Sequence, residues 1–297
     1  MTQYRYGVLP LVVLIGMSSA LVFGSADFLG GLASKRISSI RVTAIAAGIG
    51  LVLLLAAYPL IGGHWSASAV LFGGLSGVSG ALAISLLYAC LAIGPMSILS
   101  PVTAVVSAIV PASVGILVRH DHFGLLGYIA IGLALVAVVF VGFVRDERAV
   151  RPTARGLTMA ALGGVFIGLF LVLIDLTPKN SGLVPLIANR AVNTTIMFAT
   201  IGILALLTRR RGAAPAAGAW RPGIRLAIAC GIVDAVANGG LLLGIRLGDL
   251  TVIAVLTALY PAGTIILAAI VLKERIAVVQ YFGLALAIAA GALLAVD

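Results

Sequence analysis

Ten runs of about twenty apolar residues follow one another along this chain, with only short polar breaks between them. A bilayer hydrocarbon core is about 30 Å thick, and roughly 20 helical residues cross it. The runs fall at 9–31, 40–62, 67–93, 97–118, 123–144, 156–176, 184–207, 223–244, 250–272 and 276–296. Hydrophobic residues make up 62% of the 297 positions and charged residues 9%, more apolar surface than a soluble core of this length can bury. The expected fold is an all-α membrane protein of ten transmembrane helices. The loops are too short for a soluble domain. Cys90 and Cys230 both fall inside runs and read as small buried hydrophobes, not as a disulfide framework.

The formal net charge of +10 would suggest a nucleic-acid partner only in a soluble chain. Here the basic residues sit between the runs. The loops after runs one, three, five, seven and nine hold fourteen Lys and Arg: Lys35, Arg36 and Arg41; none; Arg145, Arg148, Arg151 and Arg155; Arg209, Arg210, Arg211, Arg221 and Arg225; Lys273 and Arg275. The opposite side holds four: Arg5, Arg119, Lys179 and Arg246. Basic loops stay cytoplasmic, so a multi-pass protein of the plasma (inner) membrane with both termini outside is expected. Arg5, the apolar run after it and Gly24-Ser25-Ala26 imitate a signal peptide with a small-residue cleavage site. The expectation is that the first run is retained as a span.

Two stretches repeat. Gly94 to Ala104 resembles Gly248 to Ala258 at an offset of 154. Arg41 and Arg190 open the second run of each half, with Asp27 fourteen and Asp175 fifteen residues before them. Residues 1–150 and 151–297 therefore read as two five-helix repeats. Five is odd, so the second is inserted inverted, the architecture of secondary transporters with a central site between the halves.

These residues resemble the EamA-type members of the drug/metabolite transporter superfamily. Phe23-Gly24-Ser25 stands where that family often has Trp-Gly-Ser. Arg41 and Arg190 open the second helix of each half. Tyr260-Pro261, Leu272-Lys273-Glu274-Arg275 and Gln280-Tyr281-Phe282-Gly283 resemble the pattern joining its last two helices. The first half departs from it, with His120 in the place of Glu274 and Ser107 in the place of Pro261. The resemblance implies ten helices and export or exchange of small metabolites or drugs. It also implies both termini inside, the reverse of the charge count.

Polar groups within the runs are the candidate site residues, because a charge at the bilayer centre costs about 2.5–3.5 kcal/mol on insertion scales. Asp234 lies near the middle of run eight, with Gly231 and Asn238 on its helix face. Asp27 follows Phe23 and Ser19 on one face of run one. Desolvation disfavours the charged form of a carboxylate, so such acids are candidate proton carriers; packing or interfacial hydrogen bonds are the plainer roles. Arg190, with Asn189, Asn193 and Thr194 nearby, suits a two-pronged grip on an acidic group, or a pair with Asp175. Tyr88 and Tyr260 are candidates to stack on a substrate, or core phenols with one hydrogen bond. Pro101, Pro111 and Pro261 interrupt helical hydrogen bonding. Gly73 and Gly77, and the stripe Gly283, Ala287 and Gly291, mark close helix crossings, expected to be internal. Glu274 reads as structural.

No phosphate-cradling loop suggests ATP hydrolysis, and no nucleophile with its base suggests an enzyme. His120-Asp121-His122 does not share a helix face, so no metal is expected, and no cofactor. The reading is a secondary active transporter, proton-coupled, exporting small metabolites or drug-like amphipathic, zwitterionic or cationic compounds by alternating access. Its partners are a small-molecule substrate, protons and the bilayer, with no nucleic acid. A uniporter or channel-like facilitator is the alternative, and a non-transporting membrane scaffold a further one.

Overall fold

A computed structural model describes residues 2–93, 96–142, 153–210, 221–273 and 277–296, with side chains over 9–87, 99, 102–142, 153–210, 223–273 and 277–296. The described chain is helical. The helices are α1 (Thr2–Ser34), α2 (Ser39–Ile61), α3 (Ala67–Ile93), α4 (Met96–Leu117), α5 (Leu125–Gly142) and α6 (Ala154–Asp175). A single 3-10 turn, Lys179–Ser181, precedes α7 (Val184–Arg210), α8 (Arg221–Leu247), α9 (Leu250–Thr257), α10 (Tyr260–Val271) and α11 (Val278–Val296). A backbone in lipid must satisfy its own hydrogen bonds, which favours long helices and tight connections. Nine stretches among the described residues are long and apolar enough to span a membrane, with α9 and α10 forming one of them. The described apolar part of α4, Val102–Leu117, supplies the tenth.

Side chains finish the helix starts. Thr153 accepts a hydrogen bond from the Gly156 amide at 3.1 Å, and Ser66 accepts one from Ala69 at 3.1 Å. Inside spans, Thr43, Ser85, Thr195 and Thr200 donate to the carbonyl four residues back, which quiets their hydroxyls in an apolar setting. Large apolar side chains such as Val52, Leu55, Leu82, Ile203, Val236 and Ile288 face outward. The interior is built instead from small residues, many of them Ala, with Val, Ile and Leu between.

One predicted span is not one helix. Residues 250–272 form α9 and α10, separated by a turn at Ala258 and Leu259. Pro261 has no N–H to donate to Thr257, so the helical ladder stops there and restarts with Pro in the first turn of α10.

The main packing partners are α1 with α8, α3 with α6, α5 with α11, α4 with α6, α1 with α9 and α10, α3 with α7, and α2 with α7 and α8. Small residues make these approaches possible. Gly73 and Gly77 face Pro185, Ala188, Asn189 and Val192 of α7. Gly283 meets Val141 of α5, and Gly291 meets Met17 of α1. Both small-residue stripes are thus internal crossings. Gly24, within the signal-like segment, lies against the backbone of Tyr260, Gly263 and Thr264.

Candidate functional site

The helix break and the charged residues converge. Thr264 Oγ1 donates to the Gly24 carbonyl at 3.0 Å, which holds α10 against α1. One turn further along α1, Asp27 comes within electrostatic reach of Tyr260 on α10 and Asp234 on α8. Cys230 sits against Gly30, between these two acids.

Asp234 is held from two sides. Its Oδ2 lies 2.6 Å from Nη2 of Arg190, an ion pair joining α8 to α7. The two side chains are 23% and 10% exposed, so solvent screens the pair weakly. Asn238 Nδ2 donates to Asp234 Oδ1 at 3.2 Å and to its carbonyl at 2.8 Å. Gly231, on the same face, is packed against Ala46 and Ile49 of α2. That end of the face is a helix contact, not a cavity wall.

Arg190 pairs with Asp234 and not with Asp175. Asp175 ends α6 at the face where both termini lie, and there it pairs with Arg119 beyond α4, while Arg190, two turns into α7, meets α8. Arg119 Nη2 also donates to the Asp175 carbonyl at 3.2 Å. Arg246, at the end of α8, donates to the Thr177 carbonyl at 2.7 Å and to Ser181 Oγ at 3.2 Å. Asp121 accepts from Thr251 Oγ1 at 2.7 Å and from its amide at 3.3 Å, at the start of α9. This face of the bundle is therefore latched across α4, α6, α8 and α9.

The opposite end is different. Gly16, Ala20, Gly24, Asp27 and Gly31 follow one face of α1, by steps of three and four. The first three are buried, while Asp27 and Gly31 are exposed. Gly31 has no atom within 4 Å of where a Cβ would stand. The face of α1 that is buried over Gly16, Ala20 and Gly24 thus becomes exposed toward the end carrying the basic loops.

Several buried polar atoms on α7 and α9 have no hydrogen-bond partner among the described residues: Arg190 Nε, Asn193 Oδ1, Thr194 Oγ1 and Thr257 Oγ1. Thr257 is the last residue of α9, at the break itself. Asn189 is satisfied through Ser76, at 2.8 Å. Unpaired buried polar atoms are costly, and they are what a polar ligand or water would satisfy.

Of the sequence candidates, Asp27, Asp234, Asn238, Arg190 and Tyr260 come together, with Asn193 one turn along α7 from Arg190. Asp175 belongs to the latch. Tyr88 and Pro101 lie outside the residues described at side-chain level, and Glu274 lies outside the described residues. Sequence reasoning passed over Thr257 and the latch residues Arg119, Asp121 and Arg246. The Tyr260-Pro261 pair inside a span was the available signal for Thr257. Nothing in the sequence singled out the latch.

Residues 154–296 match the model of the EamA-like transporter family. No curated protein matches the chain. A solved chain described only as the crystal structure of a protein superposes with a TM-score of 0.72. It is 16% identical, over 95% of each chain, so the likeness shows a shared fold.

Proposed function

We propose that this chain, whose residues 154–296 match the EamA-like transporter family model, is a multi-pass secondary active transporter with its central site at Asp27, Asp234, Arg190, Asn238, Asn193 and Tyr260. The carrying observation is the exposure of Asp27 where the buried face of α1 ends, beside an ion-paired second acid and a broken helix. Two carboxylates lie within electrostatic reach of each other here, and one guanidinium pairs with Asp234 alone. A cationic or amine-bearing substrate complements the surplus acid, and a proton is its natural competitor. Substrate and proton binding in turn at the same acids gives exchange. Broken helices near the membrane middle suit such sites, because they free backbone polar groups for a ligand.

The packing supports an inverted repeat. Exchanging α1 to α5 for α6, α7, α8, α9–α10 and α11 maps α1–α8 onto α6–α3, and α4–α6 onto the pair of α9–α10 with α1. The pairs α5–α11 and α2–α7 map onto themselves. The bundle, latched at one face and open at the other, is one of the two states alternating access requires. The excess of basic residues in the loops at the open end supports a cytoplasmic open end with both termini outside.

Reconstituted protein on a solid-supported membrane, challenged with amines, amino acids, sugars and organic anions at two pH values, tests this reading. The expected result is a current with amine-bearing compounds that is lost in Asp27→Asn and Asp234→Asn. Flux that follows the substrate gradient and ignores an imposed pH gradient would overturn the coupling and favour a facilitator.

A further inference from the structure

We propose that the groove between α2 and α7 at the basic end of the bundle binds the headgroup of an anionic phospholipid. The groove holds about 180 Å³ and is lined by Ser38, Ile40, Arg41, Ile201, Leu204 and Thr208. That is below the roughly 300–1,000 Å³ of a drug-sized site, so it is no second transport cavity. Its chemistry is divided as a lipid's is: isoleucine and leucine side chains for a chain, and at one end an arginine with two hydroxyls for a headgroup.

The position fits. Ser38 and Arg41 stand at the start of α2, and Thr208 near the end of α7, so the polar end of the groove lies where the helices leave the apolar layer. Ser38 makes no capping bond to α2 with its side chain. The second half of α7 is open to lipid, with Ile203, Leu204, Leu206 and Leu207 all exposed. Along the two stretches of chain that flank the groove the charge is of one sign. Lys35, Arg36 and Arg41 flank the groove on one strand of chain and Arg209 and Arg210 on the other, with no acidic residue from 35 to 41 or from 201 to 210. Two such surfaces repel each other, which argues against a second copy of this chain as the occupant, and they attract an anionic headgroup.

The experiment is native mass spectrometry of the full chain released from micelles containing equal phosphatidylglycerol and phosphatidylcholine. The wild type is expected to retain phosphatidylglycerol preferentially. Arg41→Gln should reduce that preference about fivefold, the loss of one basic contact at a membrane surface. Arg155→Gln, an exposed arginine at the start of α6, should leave it unchanged. Thermal unfolding of each variant in detergent checks that it is folded, and Arg209→Gln with Arg210→Gln gives a second route if Arg41→Gln fails to fold. Equal retention of the two lipids overturns the proposal, and so does an equal loss in Arg155→Gln. Inorganic phosphate displacing phosphatidylglycerol at millimolar concentration would make this a free-anion site and overturn it. A dimer of the chain that excludes phosphatidylglycerol would overturn it as well.

Discussion

Arg190 and Asp234 form a pair in which each charge depends on the other. Arg190 is nearly buried, and Asn238 already occupies the other carboxylate oxygen of Asp234. Removing one partner leaves the other charge shielded and unmatched, a loss of about 3 kcal/mol for a buried pair. Arg190→Gln should therefore lower the unfolding temperature clearly in detergent. Arg190→Gln with Asp234→Asn should recover a substantial part of that loss. Equal losses in the single and double variants would show that the two residues act independently. Asp27 should behave differently, because it is exposed: Asp27→Asn should leave the unfolding temperature within about 0.5 kcal/mol equivalent while abolishing coupled flux. The acids themselves were legible in the sequence, since charged residues stand out inside apolar runs. Their partners were not. Asp175 stood at the repeat-matched distance before Arg190, but packing gives it Arg119 at the end of the bundle and gives Arg190 the Asp234 of α8. Partner choice is a property of packing, which spacing along the chain does not encode.

At the level of single helices the apolar runs gave the spans within a few residues, because bilayer thickness fixes their length. The α9–α10 break escaped that logic: both halves are apolar, so hydropathy runs straight through. Only Pro261 marked it, and whether a proline bends a helix or ends it depends on its neighbours. Gly24 is the neighbour that matters here. A Cβ at Gly24 would stand 2.6 Å from the Thr264 amide nitrogen and 2.7 Å from Gly263 Cα, backbone atoms that cannot swing aside. Gly24→Val should cost about 1–3 kcal/mol through overpacking, read as a fall in unfolding temperature. Gly31→Ala, seven residues on, meets open space and should be neutral or slightly stabilising. If both substitutions cost the same, α1 does not meet α10 at Gly24 as described. Pro261→Ala restores the missing N–H and lets α9 run on into α10. The expected outcome is a protein of unchanged or higher thermal stability with much slower transport, measured by counterflow of whichever substrate gives a current.

For the molecule as a whole, the latched face and the open face predict sides of access. With Cys90 and Cys230 replaced, a cysteine at Gly31 should react with a membrane-impermeant maleimide added from the basic-loop side. A cysteine at buried Thr177 should resist the reagent from the other side until substrate drives turnover. Fusing a reporter to the C-terminus assigns those sides, with an external C-terminus expected from the loop charges. Beside the charged latch lies a second join. The loop after α2 and the turn before α7 meet backbone to backbone: His64 donates to the Asn180 carbonyl at 3.0 Å, and Leu183 to that of Gly62 at 3.2 Å. Gly62, Gly63 and Gly182 all have positive φ, and a Cβ on Gly182 would lie 2.7 Å from Gly63 Cα. A joint made of main chain has no side chains to rotate out of register and no charge to titrate. On the alternating-access reading proposed above, it would work as a pin, about which the two sides swing without sliding past each other. Small rotations there would become the largest displacements at the far, basic end, which would make this seam the fulcrum of the proposed cycle.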